Sequence, residues 1–195
     1  MMQFAGLPGT FTAAQARAAG VHPRDLYRWR DKELVLELSR GVFRRVDAPF
    51  PTYPDLLGVA VRVPVAVVCL VSAASVHDLT DQIPRQVQIA VPRTSRPPRI
   101  TYPPVQVFRF DVPTFELGLS SVEAAEGETI RIYSPARTVV DLMRFRRRIG
   151  EPIAHIALRR YLDRRGARPG ELVDLARALG VLGPVRSAVE LLQAS

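Results

Sequence analysis

At 195 residues, the chain falls between one large domain and two small ones, because compact domains cluster near ~100–150 residues. Its 47% hydrophobic and 24% charged residues match an ordinary globular composition, which excludes collagen-like, low-complexity and fully disordered chains. The net charge of +8 favours a polyanionic partner, although Lys32 is the only lysine and so strong an arginine bias also follows from GC-rich codon usage.

The charge is not evenly spread. Residues 1–47 hold eight Lys/Arg against five Asp/Glu, residues 48–133 seven against eight, and residues 134–195 twelve against six. Both ends are basic and the middle is neutral. No run of ~18 uninterrupted apolar residues occurs, so no membrane partner is expected. The start, Met1-Met2-Gln3-Phe4, lacks a charged region followed by an apolar one, so no secretory signal is expected either. The lone Cys69 offers neither an internal disulfide nor a multi-cysteine metal site. The expected compartment is the cytoplasm, with no metal and no cofactor.

In chain order, the first segment reads helix, turn, helix, hairpin. Thr12 with Gln15 three residues later makes a capping box for a helix over Ala13 to Ala19. Gly20 ends it, and Pro23 opens a second helix at the position where its missing N–H costs nothing. Val21, Leu26 and Trp29 share the packing face of that helix, leaving Arg24, Tyr27, Arg28 and Asp31 presented. Leu34–Leu38 and Val42–Val46 flank Ser39-Arg40-Gly41 as a hairpin, the expected wing. Pro49 and Pro51 then place a domain boundary near residues 47–52, giving domains 1–50 and 51–195.

Beyond it, Thr52 is expected to cap a helix through Val61, Val65 to Val71 to form a buried strand, and Ala73 to Leu79 a short helix. Gln86–Val91, Val105–Phe110, Leu119–Ala124 and Thr129–Tyr133 are further strands, with an exposed proline-rich loop over 92–104. Ser134-Pro135 opens a helix to about Arg146, and helices near 151–165, 169–179 and 184–193 complete a helical end. The expected fold class is α+β: an N-terminal winged helix-turn-helix domain followed by a mixed α/β domain ending in a helical region.

The segment from Thr12 to Trp29 resembles helix-turn-helix proteins, carried by Ala16, Gly20, Val21, Leu26 and Trp29; Gln15 departs from the usual apolar residue. A small residue at Ala16 lets two helices cross closely, and Leu26 with Trp29 pins the second. If that helix enters a major groove, His22, Arg24 and Arg28 reach base edges, arginine pairing bidentately with guanine, while Tyr27 suits a phosphate or a thymine methyl. Arg40, Arg44 and Arg45 on the hairpin would meet phosphate or minor groove. A second basic patch is expected from Arg144, Arg146, Arg147 and Arg148 together with Arg159, Arg160, Arg164 and Arg165, where Arg160 and Arg164 are four apart on one helix face.

No catalytic set stands out. Ser72, Ser75, His77 and Asp78 lie too close together on one short helix to supply a separate base, orienting acid and oxyanion hole. No glycine-rich phosphate loop or metal-spaced His/Cys set appears, so the chain reads as a binding protein and not an enzyme.

With these parts in order, the chain resembles the AbiEi family of type IV antitoxins. The resemblance rests on Arg40-Gly41-Val42-Phe43, the Ser72-Ala73-Ala74 to His77-Asp78-Leu79-Thr80 element, the Val87–Pro92 strand and Arg137-Thr138-Val139-Val140-Asp141-Leu142. It implies an N-terminal domain that binds double-stranded DNA at operator inverted repeats and represses its own operon, and a C-terminal α+β domain required for antitoxicity. The functional counterpart would be a nucleotidyltransferase-like toxin, without a direct contact being assumed. Two alternatives share the sequence features: a stand-alone regulator whose second domain binds a ligand or another subunit, and a nucleic-acid-processing enzyme with its site in the middle of the chain.

Overall fold

The computed structural model describes residue 4 and residues 6–193. It is a mixed α+β protein whose chain divides into two compact units: Met1–Ala66 with Pro98–Val105 and Val122–Ile130, and Val67–Pro97 with Gln106–Ser121 and Arg131–Ser195.

The first unit begins with β1 (Thr10–Thr12), α1 (Ala13–Ala18) and α2 (Pro23–Asp31), followed by β2 (Val35–Ser39) and β3 (Val42–Arg45). The expected capping box is present: the Gln15 N–H donates to the Thr12 hydroxyl at 3.1 Å, and the Thr12 N–H to the Gln15 side chain at 2.7 Å. After α1 the chain reverses at Gly20 (φ +84), and the Val21 N–H closes onto the Ala16 carbonyl at 2.9 Å. A side chain would strain this left-handed turn. The strands form an antiparallel sheet in the order β1-β3-β2, with Phe11 opposite Phe43. β1 is an element the sequence reading lacks.

Under α1 and α2 lies a small core of Leu7, Phe11, Ala16, Leu26, Val35 and Phe43, with Val21 and Trp29 packed against its edge. The Trp29 ring meets Phe4 edge-on at 5.1 Å. α3 (Pro54–Arg62) follows, its N-cap being Tyr53 with no side-chain cap. The expected Thr52 cap is therefore not made; the Thr52 N–H donates instead to the Ala124 carbonyl at 2.7 Å. Ser39 Oγ donates to the Tyr102 carbonyl at 2.7 Å and Arg62 to the carbonyls of Arg40 and Arg99, so the loop at 98–105 is tied into this unit.

The second sheet consists of β4 (Val67–Val68), β5 (Val87–Pro92), β6 (Val105–Phe110), β7 (Leu119–Ala125) and β8 (Glu128–Tyr133) in the order β6-β5-β4-β8-β7. β4 runs antiparallel to β5 and parallel to β8, pairing Val68 with Ile132. The expected strand over 65–71 shrinks to two residues because α4 (Leu70–Val76) starts inside the apolar run. A short α5 (Val112–Phe115) follows β6.

After β8 come α6 (Pro135–Arg144), α7 (Arg146–Ile149), α8 (Glu151–Leu162), α9 (Pro169–Ala178) and α10 (Leu182–Gln193). α6 packs against α4, α8 and α9, and every residue from Ala136 to Met143 is buried, as a helix surrounded by neighbours requires. Gly118 (φ +67) lets the chain before β7 pass so close to α6 that a Cβ would sit 2.6 Å from Arg137 Cβ.

Candidate nucleic-acid interface

α2 is amphipathic: Leu26 is buried and Trp29 partly buried, while Arg24, Tyr27 and Arg28 face solvent. His22 is the N-cap, with its Nδ1 accepting from the Arg24 N–H at 3.2 Å. In that bond Nδ1 is the acceptor, which leaves Nε2 as the donor nitrogen of the neutral ring. His22 thus has a role the sequence reading missed: it terminates the helix as well as standing at its exposed start.

Arg28 pairs with Asp25 at 3.1 Å, but its side chain is 58% exposed. Such a pair is worth only ~0–1 kcal/mol, so an incoming phosphate or guanine can displace Asp25 at little cost. Tyr27, 47% exposed, rests its ring edge-on against Phe43 and beneath the Arg30 guanidinium, 5.0 Å from the ring centre. Arg30 itself is tied to Asp31 and Glu37, whose hydrogen bonds raise its already high pKa.

The hairpin arginines differ sharply from one another. Arg40 is exposed at the β2–β3 turn, where the Gly41 N–H donates to the Glu37 carboxylate at 2.9 Å. Arg45 is half-buried, paired with Asp47 at 2.8 Å, donating to the Leu7 carbonyl and lying over the Phe4 ring. Hydrogen bonding to Arg45 holds the Asp47 carboxyl below its usual range. Arg44 does not meet the phosphate-contacting expectation, because it is 2% exposed. Its guanidinium donates to Thr10 Oγ1 at 2.6 Å, to the Pro49 carbonyl and to both oxygens of Glu128 at 3.2 and 3.3 Å. β3 is the central strand of its sheet and Val42, Phe43 and Arg44 are all buried, so Arg44 is an internal strut.

The second set of arginines is likewise divided. Arg144 stacks over Phe110 and Phe145 and pairs with Asp141 at 3.2 Å. Arg146 donates to the Met143 carbonyl and faces Glu151 at 3.8 Å. Arg148 lies over Phe108, and Arg160 is in an ion pair with Asp81. Arg147, Arg159, Arg164 and Arg165 are exposed. The structure thus commits Arg144, Arg146 and Arg160 to neighbours within the unit.

Ser72 on α4, His77 at its C-cap and Asp78 just beyond do not form a catalytic set. Ser72 is buried and accepts from the Gln88 N–H at 2.9 Å, while His77 Nε2 bonds the Tyr133 carbonyl at 2.7 Å. That carbonyl can only accept, so His77 is the donor; burial holds its pKa below the ordinary value. Among the described residues, no group of three or more His, Cys, Asp and Glu side chains could hold a metal ion, and no helix is long and apolar enough to cross a membrane.

The chain is similar in fold to the crystal structure of the RV2827C protein from Mycobacterium tuberculosis. The likeness covers 96% of this chain and 76% of that one, at a TM-score of 0.59 and 17% identity. No curated protein matches the chain. The N-terminal segment does match a family model, described as "Transcriptional regulator, AbiEi antitoxin", over residues 1–46. Residues 1–46, the segment that holds α1, α2 and the β2–β3 hairpin, are thus similar to this family of transcriptional regulators.

Proposed function

We propose that the chain is a DNA-binding antitoxin of the type IV kind, a winged helix-turn-helix repressor of its own operon that counters a nucleotidyltransferase-like toxin. The observation that carries this reading is the exposed face of α2, where Arg24, Tyr27 and Arg28 stand together in a segment that matches a regulator family. In it, α2 lies in the major groove with His22 Nε2, Arg24 and Arg28 toward base edges. The β2–β3 hairpin is the wing, bringing Arg40 to the flanking backbone. Arg45 contributes only as far as it releases Asp47, and Arg44 holds the sheet. No enzymatic step belongs to this function.

The test is binding to the protein's own promoter. Each of Arg24→Ala and Arg28→Ala is expected to relax base preference and cost ~1–3 kcal/mol where a bidentate guanine contact is lost. Fluorescence anisotropy with promoter duplexes, and footprints at the inverted repeats, measure this; unchanged affinity and footprint in both variants would take α2 out of the groove. The family match ends at Val46, which favours keeping a second reading in which the regulator acts without a toxin. The adjacent reading frame discriminates: a nucleotidyltransferase-like gene there, toxic alone and tolerated with this chain, supports the antitoxin.

A further inference from the structure

The second unit holds a cavity of about 330 Å³ where the first turns of α6 and α9 and the loop between α8 and α9 come together. Its walls include Ser134, Tyr161, Arg164, Arg165, Arg168 and Glu171. The ion pairs among the described residues of this helical end take Arg160, Arg177 and Arg186 and leave Arg164, Arg165 and Arg168 out. Three arginines and a single acidic residue therefore line one concave site.

The loop is held in place. The Tyr161 hydroxyl accepts from the Arg168 N–H at 3.2 Å and reaches the Arg168 carbonyl at 3.3 Å, which fixes the backbone that carries the arginines. No side chain caps α9 at its N-cap, Arg168.

We propose that this cavity binds a phosphomonoester: the terminal phosphate of a nucleotide or of a nucleic-acid strand. Three guanidinium charges against the Glu171 carboxylate leave a surplus of two, matching the charge of ~−1.5 to −2 that a phosphomonoester carries at neutral pH. Guanidinium groups pair with phosphate oxygens through two parallel hydrogen bonds. The volume lies at the small end of the ~300–1,000 Å³ range of ligand sites, enough for a mononucleotide. Concavity selects the ester type, because a terminal phosphate can enter with three oxygens exposed, whereas an internal phosphodiester in a duplex is flanked by sugars on both sides. This inference stands apart from promoter recognition and survives or fails separately from it.

The experiment uses the full chain and two double variants of equal charge change: Arg164→Ala/Arg168→Ala in the cavity, and Arg177→Ala/Arg186→Ala outside it. Calorimetric titrations with inorganic phosphate, adenosine 5′-monophosphate and adenosine are joined by titrations with one short single strand bearing a 5′-phosphate or a 5′-hydroxyl. The expected result is binding of phosphate-bearing ligands over adenosine and the 5′-hydroxyl strand, weakened roughly tenfold or more per arginine by the cavity variant and kept by the other. The monophosphate and the 5′-phosphorylated strand distinguish a free nucleotide from a strand end. The proposal is overturned if no phosphomonoester binds the parent chain, if both variants weaken binding alike, or if the 5′-hydroxyl strand binds as well as the phosphorylated one. Equal melting temperatures in all three proteins exclude a folding effect.

Discussion

Arg137 is the largest of the fully buried side chains, and it is charged. Its guanidinium donates to Asp141 at 2.8 Å and to the carbonyls of Thr114 and Leu117 at 2.8 and 2.6 Å, and it covers the Tyr133 ring at 4.3 Å. Burial pushes the Asp141 carboxyl up while Arg137 and Arg144 pull it down. Removing one partner of such a pair strands the other in the core at ~3–5 kcal/mol, whereas removing both relieves much of that cost. Arg137→Met is accordingly expected to destabilise the second unit by several kcal/mol, and Arg137→Met/Asp141→Leu by less than the single change. Urea unfolding followed by circular dichroism measures both; equal losses would mean that the pair contributes packing alone. The four-residue spacing of the pair was legible in the sequence. Its burial was not, because an arginine four residues before an aspartate reads the same on a solvated helix, and only the helices packed around α6 exclude the water.

At the scale of elements, Glu128 belongs to the first unit and closes its small sheet from within: one carboxylate accepts from the Thr10 N–H at 3.0 Å and from Arg44. Glu128→Ala leaves Arg44 buried without its counter-charge, at a cost of ~3–5 kcal/mol. The transition is expected to appear in the fluorescence of Trp29, the one tryptophan of the chain, which lies against the core of this unit. A Trp29 unfolding curve that does not move would show that Arg44 finds its compensation elsewhere.

Elements with a local signature were readable: the Thr12–Gln15 box, the turn at Gly20, the hairpin around Gly41 and the Ser134 cap, whose hydroxyl accepts from the Arg137 N–H at 3.2 Å. β1 was not, since three residues carry too little alternation to count. The start of α4 at Leu70 was hidden because the uniformly apolar run 65–71 has no period to separate strand from helix. Arg44 was misjudged for a related reason: β3 is central only because the unread β1 pairs with it, and the partner of its guanidinium, Glu128, lies 84 residues away.

For the whole molecule, the question is where the charge remains available. Residues 134–195 hold twelve arginines against six acids, yet Arg137, Arg144, Arg146 and Arg160 are engaged within the unit. Arg147 and Arg148 stay exposed on α7. If they touch duplex DNA, each phosphate they neutralise adds ~0.9 to the magnitude of the salt slope. Arg147→Ala/Arg148→Ala is then expected to flatten the dependence of promoter affinity on salt by up to ~1.8 without changing base preference. Titration of the full-length protein at several salt concentrations reads this directly, and an unchanged slope would leave operator binding to the N-terminal segment.

The long span between Arg44 and Glu128 also sets a schedule for synthesis. At ~5–20 residues per second, the 84 residues that separate them take roughly 4–17 s to emerge. For that time the nascent chain displays α2 while Arg44 waits as a hydrated cation and the Thr10 amide stays without its acceptor. The segment that holds α2 is translated first and finished late. A message cut short before the Glu128 codon yields a chain that has every candidate base-contacting residue and lacks the carboxylate that closes the small sheet, so on the proposed reading binding-competent protein accumulates only from transcripts read well past α2.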